Sequence, residues 1–151
     1  MKIRKARQGD VAAIVAMLAD DPLGKTREDY RQPLPAVYKQ AFLAIDSNPD
    51  HELIVVEADT GELVGTLQLS FIQYLTYRGG VRAQIEAVRI REDRRGEGIG
   101  ELMVQHAIAR ARARGAHVVQ LTTDKQRPDA LRFYEKLGFS ATHEGLKLHL
   151  A

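Results

Sequence analysis

The chain has 151 residues, a formal net charge of +2, 44% hydrophobic residues and no cysteine. That is the length of one ordinary domain with enough apolar content for a core. It excludes disulfides, thiolate metal sites and cysteine-linked acyl intermediates, and its charge falls short of a dedicated nucleic-acid binder.

In chain order, Lys2–Ala6 reads as a first strand. Asp10 is an N-cap candidate for a helix over Val11–Ala19, with Ile14, Met17 and Leu18 on one face. The basic start and apolar run Val11–Leu18 lack a cleavage site before Asp20-Asp21 and are too short for a membrane span, so a soluble, cytoplasmic protein is expected. Residues 20–35 are irregular. A helix within Ala36–Ser47 has Val37, Phe42 and Ile45 as core candidates, and Asn48-Pro49-Asp50 ends it.

The period then changes to that of strands. Glu52–Ala58, Leu63–Ile72 and Val81–Ile90 follow one another closely, with turn residues Asp59-Thr60-Gly61-Glu62 and Gly79-Gly80 between them. An antiparallel meander is the economical reading. Helical periodicity returns at Ile99 and stops at Gly115. Val118–Thr122 reads as a buried fifth strand, parallel to the third member of the meander because a helix connects them. Pro128 opens a further helix that Gly138 closes. Phe139–Ala141 and Leu146–Leu150 read as short final strands.

The most informative stretch is Arg94-Arg95-Gly96-Glu97-Gly98-Ile99-Gly100. It follows a strand and opens a helix. Alternate glycines let the backbone bend and approach a ligand, and the helix start presents unpaired N–H groups and the positive end of its dipole. This is an anion site of the kind phosphates occupy. Neither the dinucleotide GxGxxG spacing nor the P-loop Gly-Lys-Ser/Thr triplet is met.

Arg95-x-x-Gly98-x-Gly100 is similar to the R/Q-x-x-G-x-G/A signature of the GCN5-related N-acetyltransferases. Asp129-Ala130-Leu131-Arg132-Phe133-Tyr134-Glu135-Lys136-Leu137-Gly138-Phe139 resembles the A-x-x-F-Y-x-x-x-G-F element of the same family. The order of elements agrees over nearly the whole chain. The resemblance implies one α/β (α+β) acyl-CoA N-acyltransferase domain over residues 1–151. Its mixed, mostly antiparallel sheet would have about seven strands and helices on both faces.

The resemblance also implies acetyl-CoA as co-substrate, no metal, and direct transfer to a primary amine of a small molecule or peptide. The acyl arm would pair with backbone near Val88 and Ile90, and the Val88 amide would hold the thioester oxygen. Arg95, Gly96, Gly98, Ile99 and Gly100 would cradle the pyrophosphate. Arg89 and Arg94 would steer phosphates, with solvated charge as the alternative reading of this arginine-rich stretch. Tyr134 would protonate the leaving sulfur; the alternative is a core aromatic. Glu86 is the candidate general base, as an inward carboxylate on an otherwise buried strand; a surface carboxylate or an ion pair with Arg82 or Arg89 is the alternative. Where the family often has Asn, this chain has Arg127, so the asparagine's role is not carried over. The acceptor pocket is expected around residues 20–35, with Asp20, Asp21, Glu28 and Asp29 attracting a cationic amine, and around the hairpin Gln73–Arg82. A homodimer is compatible with this reading; membrane and nucleic-acid partners are not expected. The competing function is a non-catalytic acyl-CoA-binding sensor.

Overall fold

A computed structural model describes Met1–Ala151. The chain divides into two compact units, Met1–Gln120 and Leu121–Ala151.

The first unit is built on a five-stranded sheet in the order β1 (Lys2–Lys5), β2 (His51–Glu57), β3 (Leu63–Gln73), β4 (Val81–Ile90), β5 (Val118–Gln120). The first four strands are antiparallel and β5 is parallel to β4, as the short turns and the helical crossover require. Alternation along the strands assigns the two faces. Val55 packs with Ile14, Val15 and Phe42 from α1 (Val11–Ala19) and α2 (Ala36–Asp46). Its neighbour Val56 points the other way and pairs with Gly65, whose Cα lies against Met103 and Ile99 of α3 (Ile99–Ala113). Ile54, Leu67, Leu69, Ile85, Met103 and Val104 are almost wholly excluded from water between this face and α3. Burial on this scale contributes about 1.5–3 kcal/mol per large side chain. Helices thus cover both faces of the sheet.

A buried carboxylate with a partly exposed partner borders that layer. Glu52 is 6% exposed and accepts from Arg110 Nε and Nη2 at 2.9 and 2.8 Å, with Arg114 at 3.7 Å. The Arg110 hydrogen bonds hold its carboxyl below the ordinary 4.5. A carboxyl depressed in the folded state stabilises fully above its unfolded value, and this contribution is lost as pH falls through the folded value. Thermal melts between about pH 7 and pH 3 are therefore expected to show a decline beginning near the unfolded value. Glu52→Gln should melt lower than wild type at neutral pH and decline less on acidification. An unchanged acid limb in that variant would assign the loss to other carboxylates.

In the second unit, α4 (Pro128–Lys136) starts with Pro128 at its first position. It ends in a Schellman arrangement: Phe139 N–H donates to Tyr134 O at 3.1 Å and Gly138 N–H to Glu135 O at 3.1 Å, with Gly138 at φ 99°. A left-handed closing residue explains why glycine is found there. Residues 139–151 form no strand. Leu146, Leu148 and Leu150 are 93%, 85% and 93% exposed. The expected final strands are therefore absent, and the sheet has five strands, not about seven. Alternating leucines carry strand propensity, but a strand also needs a neighbour's ladder.

Three smaller expectations are corrected. Val37 is exposed on the outer side of α2, while Phe42 provides the buried contact. The fifth strand is only three residues long, and Val118 within it is exposed. Asp10 makes no side-chain cap to α1; its carboxylate accepts from Arg7 N–H at 2.7 Å and from Arg4 Nη1 and Nη2. No helix is long and apolar enough to cross a membrane.

Candidate active site

Two irregularities in β4 open its backbone. Along β3 the register advances two residues, from Thr66 to Gln68, while along β4 it advances three, from Arg89 to Glu86. The extra residue makes a bulge, and Ala87 takes φ 55° there. Such bulges re-aim strands and interrupt their pairing. On the other edge, pairing with β5 runs only from Arg82 to Gln84. Ala87 and Val88 thus lie outside the registered strand pairs on both sides, which leaves the Val88 N–H facing no neighbouring strand, while the Val88 carbonyl accepts from Arg89 Nη1.

Beyond β4, Arg91 N–H still bonds Val64 O, then the turn Glu92–Arg94 leads into the glycine stretch. Gly96 and Gly98 both have φ 82°, and a Cβ built on either would meet nothing within 4 Å. Their backbone therefore borders open space. Gly98 is the N-cap of α3, and the first intrahelical bond is Leu102 N–H to Gly98 O. The amides of Ile99, Gly100 and Glu101 lack intrahelical acceptors, as in any first helical turn. Ile99 is 1% exposed and anchors the turn in the core. The bare glycine backbone, the helix start and the exposed Arg95 fit a diphosphate.

The nearby arginines are more committed than their sequence suggests. Arg89 Nη2 lies 3.6 Å from the carboxylate of buried Asp21, and its Nη1 donates to Val88 O at 2.9 Å. Asp21 also accepts from Gly24 N–H at 3.0 Å. A Cβ at Gly24 would lie 1.9 Å from Leu18 O, so this tight loop requires glycine. Asp21 is thus a structural anchor, which corrects its expected place among acceptor-attracting acids. Arg91 pairs with Asp93 and Glu62, and Arg94 with Glu97 at 2.7 Å. Asp20 and Glu28 line an open basin of about 880 Å³ that also includes Arg91.

Glu86 is exposed, in contrast to the inward carboxylate expected from its strand. It shares a face with Gln84 and Arg82, because alternate residues point the same way. Gln84 Nε2 donates to Glu86 Oε1 at 2.6 Å, Gln120 Nε2 to Gln84 Oε1 at 3.0 Å, and Arg82 Nη1 to Gln120 Oε1 at 3.5 Å. Sequence reading missed this row, because Gln120 joins it only through the β4–β5 register. A small apolar cavity of about 150 Å³ lies on the same side of the sheet. Ile14, Leu18, Phe42, Gln68 and Ala87 are among its lining residues.

Within the second unit, Tyr134 is 9% exposed. Its ring meets Phe133 edge-on at 5.0 Å and Phe139 at 5.7 Å. The Schellman closure and these contacts hold the ring. Arg127 takes the N-cap position of α4, and its N–H donates to Asp124 O.

The model of the acetyltransferase (GNAT) family matches residues 15–139. The chain belongs to this family. A crystal structure described as a transcriptional regulator from Bacillus halodurans C-125 is 56% identical, with a TM-score of 0.96 and 99% of each chain covered. The L-methionine sulfoximine/L-methionine sulfone acetyltransferase of Pseudomonas aeruginosa is 28% identical over 91% of this chain and 78% of its own length. The aminoalkylphosphonate N-acetyltransferase of Salmonella typhimurium is 27% identical over 94% of this chain and 86% of its own length. GNAT membership accounts for the mixed sheet, the strand-to-glycine-turn-to-helix unit and the Phe133-Tyr134 element together.

Proposed function

We propose that this GNAT protein transfers the acetyl group of acetyl-CoA to the primary amine of a small molecule, by direct transfer in a ternary complex. The observation that carries the reading is the coincidence on one strand-turn-helix unit of two features. The backbone of β4 leaves the strand ladder at Ala87–Val88, and the glycine turn that follows opens the N-terminus of α3. The family match from residue 15 to 139 runs through both compact units, which supports reading residues 1–151 as one GNAT domain.

The co-substrate supplies an activated thioester. The amine nitrogen attacks its carbonyl carbon, the C–S bond breaks and the sulfur leaves as a thiol after gaining a proton. In this reading the amides of the glycine turn bind the diphosphate, with Arg95 adding charge. The Val88 amide donates to the thioester oxygen as charge develops there. Val88 and Ile90 align the acyl arm. Arg89 contributes through its backbone, because its guanidinium is engaged by Asp21. Tyr134 donates the proton to sulfur, a role that rests on the family motif. Glu86 takes the amine proton, directly or through water; its exposure places it within reach of solvent. Both acetyltransferase relatives named above act, by their names, on small amines that also bear an acidic group.

A panel of amines with acetyl-CoA, followed by free-thiol release, tests the reading. The absence of cysteine keeps the protein's own background low. Thiol release with at least one amine, and intersecting initial-rate lines for that amine, are expected. Parallel lines with an acetylated enzyme in the mass spectrum would replace direct transfer by a covalent path. The second reading is a non-catalytic acyl-CoA sensor; the Bacillus halodurans structure is described as a transcriptional regulator, a regulatory rather than a catalytic role. CoA binding without thiol release from any amine would support it.

A further inference from the structure

We propose that Arg82 recognises an acidic group on the acceptor, so that the substrates are small amines carrying a carboxylate or phosphonate. The proposal rests on the transferase reading and deepens it.

Three of the β4 and turn arginines have carboxylate partners: Arg89 has Asp21, Arg91 has Asp93 and Glu62, and Arg94 has Glu97. Arg82 has none. Its Nε is buried without an acceptor, and its single hydrogen bond, to Gln120, is long at 3.5 Å. Leaving a partly buried guanidinium unpaired is costly. The cost is offset in part by aromatic faces. The guanidinium carbon lies 4.4 Å from the Tyr74 ring centre and 5.6 Å from that of Tyr77. Tyr77 is itself stacked on His117 at 4.7 Å. The left-handed turn between β3 and β4, with Tyr77 at φ 52° and Arg78 at φ 58°, places this ring.

Stacking satisfies the face of a guanidinium and leaves its N–H edge for hydrogen bonds. That edge matches the two oxygens of a carboxylate or phosphonate. The row Arg82, Gln120, Gln84, Glu86 then presents a cation at one end and a carboxylate at the other. An ammonium toward Glu86 and an acid toward Arg82 complement both charges. The two ends lie four residues apart on β4, roughly 13 Å along the backbone, a span that suits an extended ω-amino acid rather than an α-amino acid, and the bridging glutamines provide neutral polar contacts between them.

The experiment uses ω-amino acids and ω-aminoalkyl phosphonates of graded chain length, each paired with its uncharged amide or alcohol. Calorimetry in the presence of CoA measures binding, and thiol release measures turnover. Wild type is expected to bind at least one acidic amine about tenfold or more tighter than its neutral counterpart. Arg82→Gln should abolish that ratio, with KM for the acidic amine rising about 10- to 100-fold while kcat and CoA affinity hold. Arg82→Lys, which keeps the charge but not the fork, should recover part of it. Inorganic phosphate should compete with the acidic amine in wild type only. An acid preference surviving in Arg82→Gln, or equal losses for both members of a pair, would overturn the proposal. If acidic amines bind through Arg82 and no thiol appears, the transferase reading falls and the anion site stands. If neutral and acidic amines turn over alike, the transferase reading stands and the anion site falls.

Discussion

Gly98→Asp is expected to weaken CoA binding by about 3 kcal/mol or more, the scale of forcing a charge against an uncompensated charge. Gly98 is the N-cap of α3, at φ 82°, and the space where its Cβ would stand is open. An aspartate there has room for its side chain and carries the same left-handed strain as any other non-glycine residue, about 1–2 kcal/mol. The variant should therefore fold. Its carboxylate would occupy the region proposed for the diphosphate and compete for the same amides. Gly98→Ala separates the causes, because it introduces only the left-handed strain of a non-glycine residue, about 1–2 kcal/mol. Calorimetry with CoA should rank wild type above Gly98→Ala and Gly98→Ala well above Gly98→Asp. Equal affinity in a folded Gly98→Asp would remove the glycine turn from the binding site.

The second large effect is expected at Tyr134. Tyr134→Phe deletes one oxygen and keeps the ring that meets Phe133 and Phe139. Packing should survive, and turnover should fall by roughly 10²-fold or more if proton donation to sulfur matters. CoA affinity must be measured alongside, since loss of cofactor binding would imitate loss of chemistry. Near wild-type turnover would leave Tyr134 as a packed aromatic. Glu86→Gln is the companion variant. Its deficit should be greatest at lower pH, where more of the amine is protonated and a base is most needed. A very basic acceptor would flatten the difference, and an unchanged profile with a weakly basic acceptor would assign the proton to ordered water or another group.

Local chemistry was the legible part of this chain. The bounds of α1 and β4 follow from periodicity and breakers alone. Gly115 and Gly138 terminate helices through left-handed backbone, a requirement carried by residue type. The glycine stretch was readable because its left-handed backbone depends on missing side chains. Glu86 shows the limit. Its strand alternates correctly and is buried at Ala83 and Ile85, but those residues face α3, while Glu86 is exposed on the opposite face. A strand pattern reveals which residues share a face; what covers each face is a property of the assembled layers.

The sequence by itself therefore determined the family, the antiparallel meander, the helical crossover and the glycine turn that opens α3, because each is carried by local residue patterns. Only the tertiary structure decided that Arg89 is held by Asp21, that Arg82 lacks a carboxylate partner between two tyrosines, and that Gln120 joins Gln84 in one polar row. It also decided that the leucines of the last segment form no strand. The physical reason is common to all four: ion pairs, stacking and ladders depend on groups far apart in the chain, and their partners are chosen by register and layer packing.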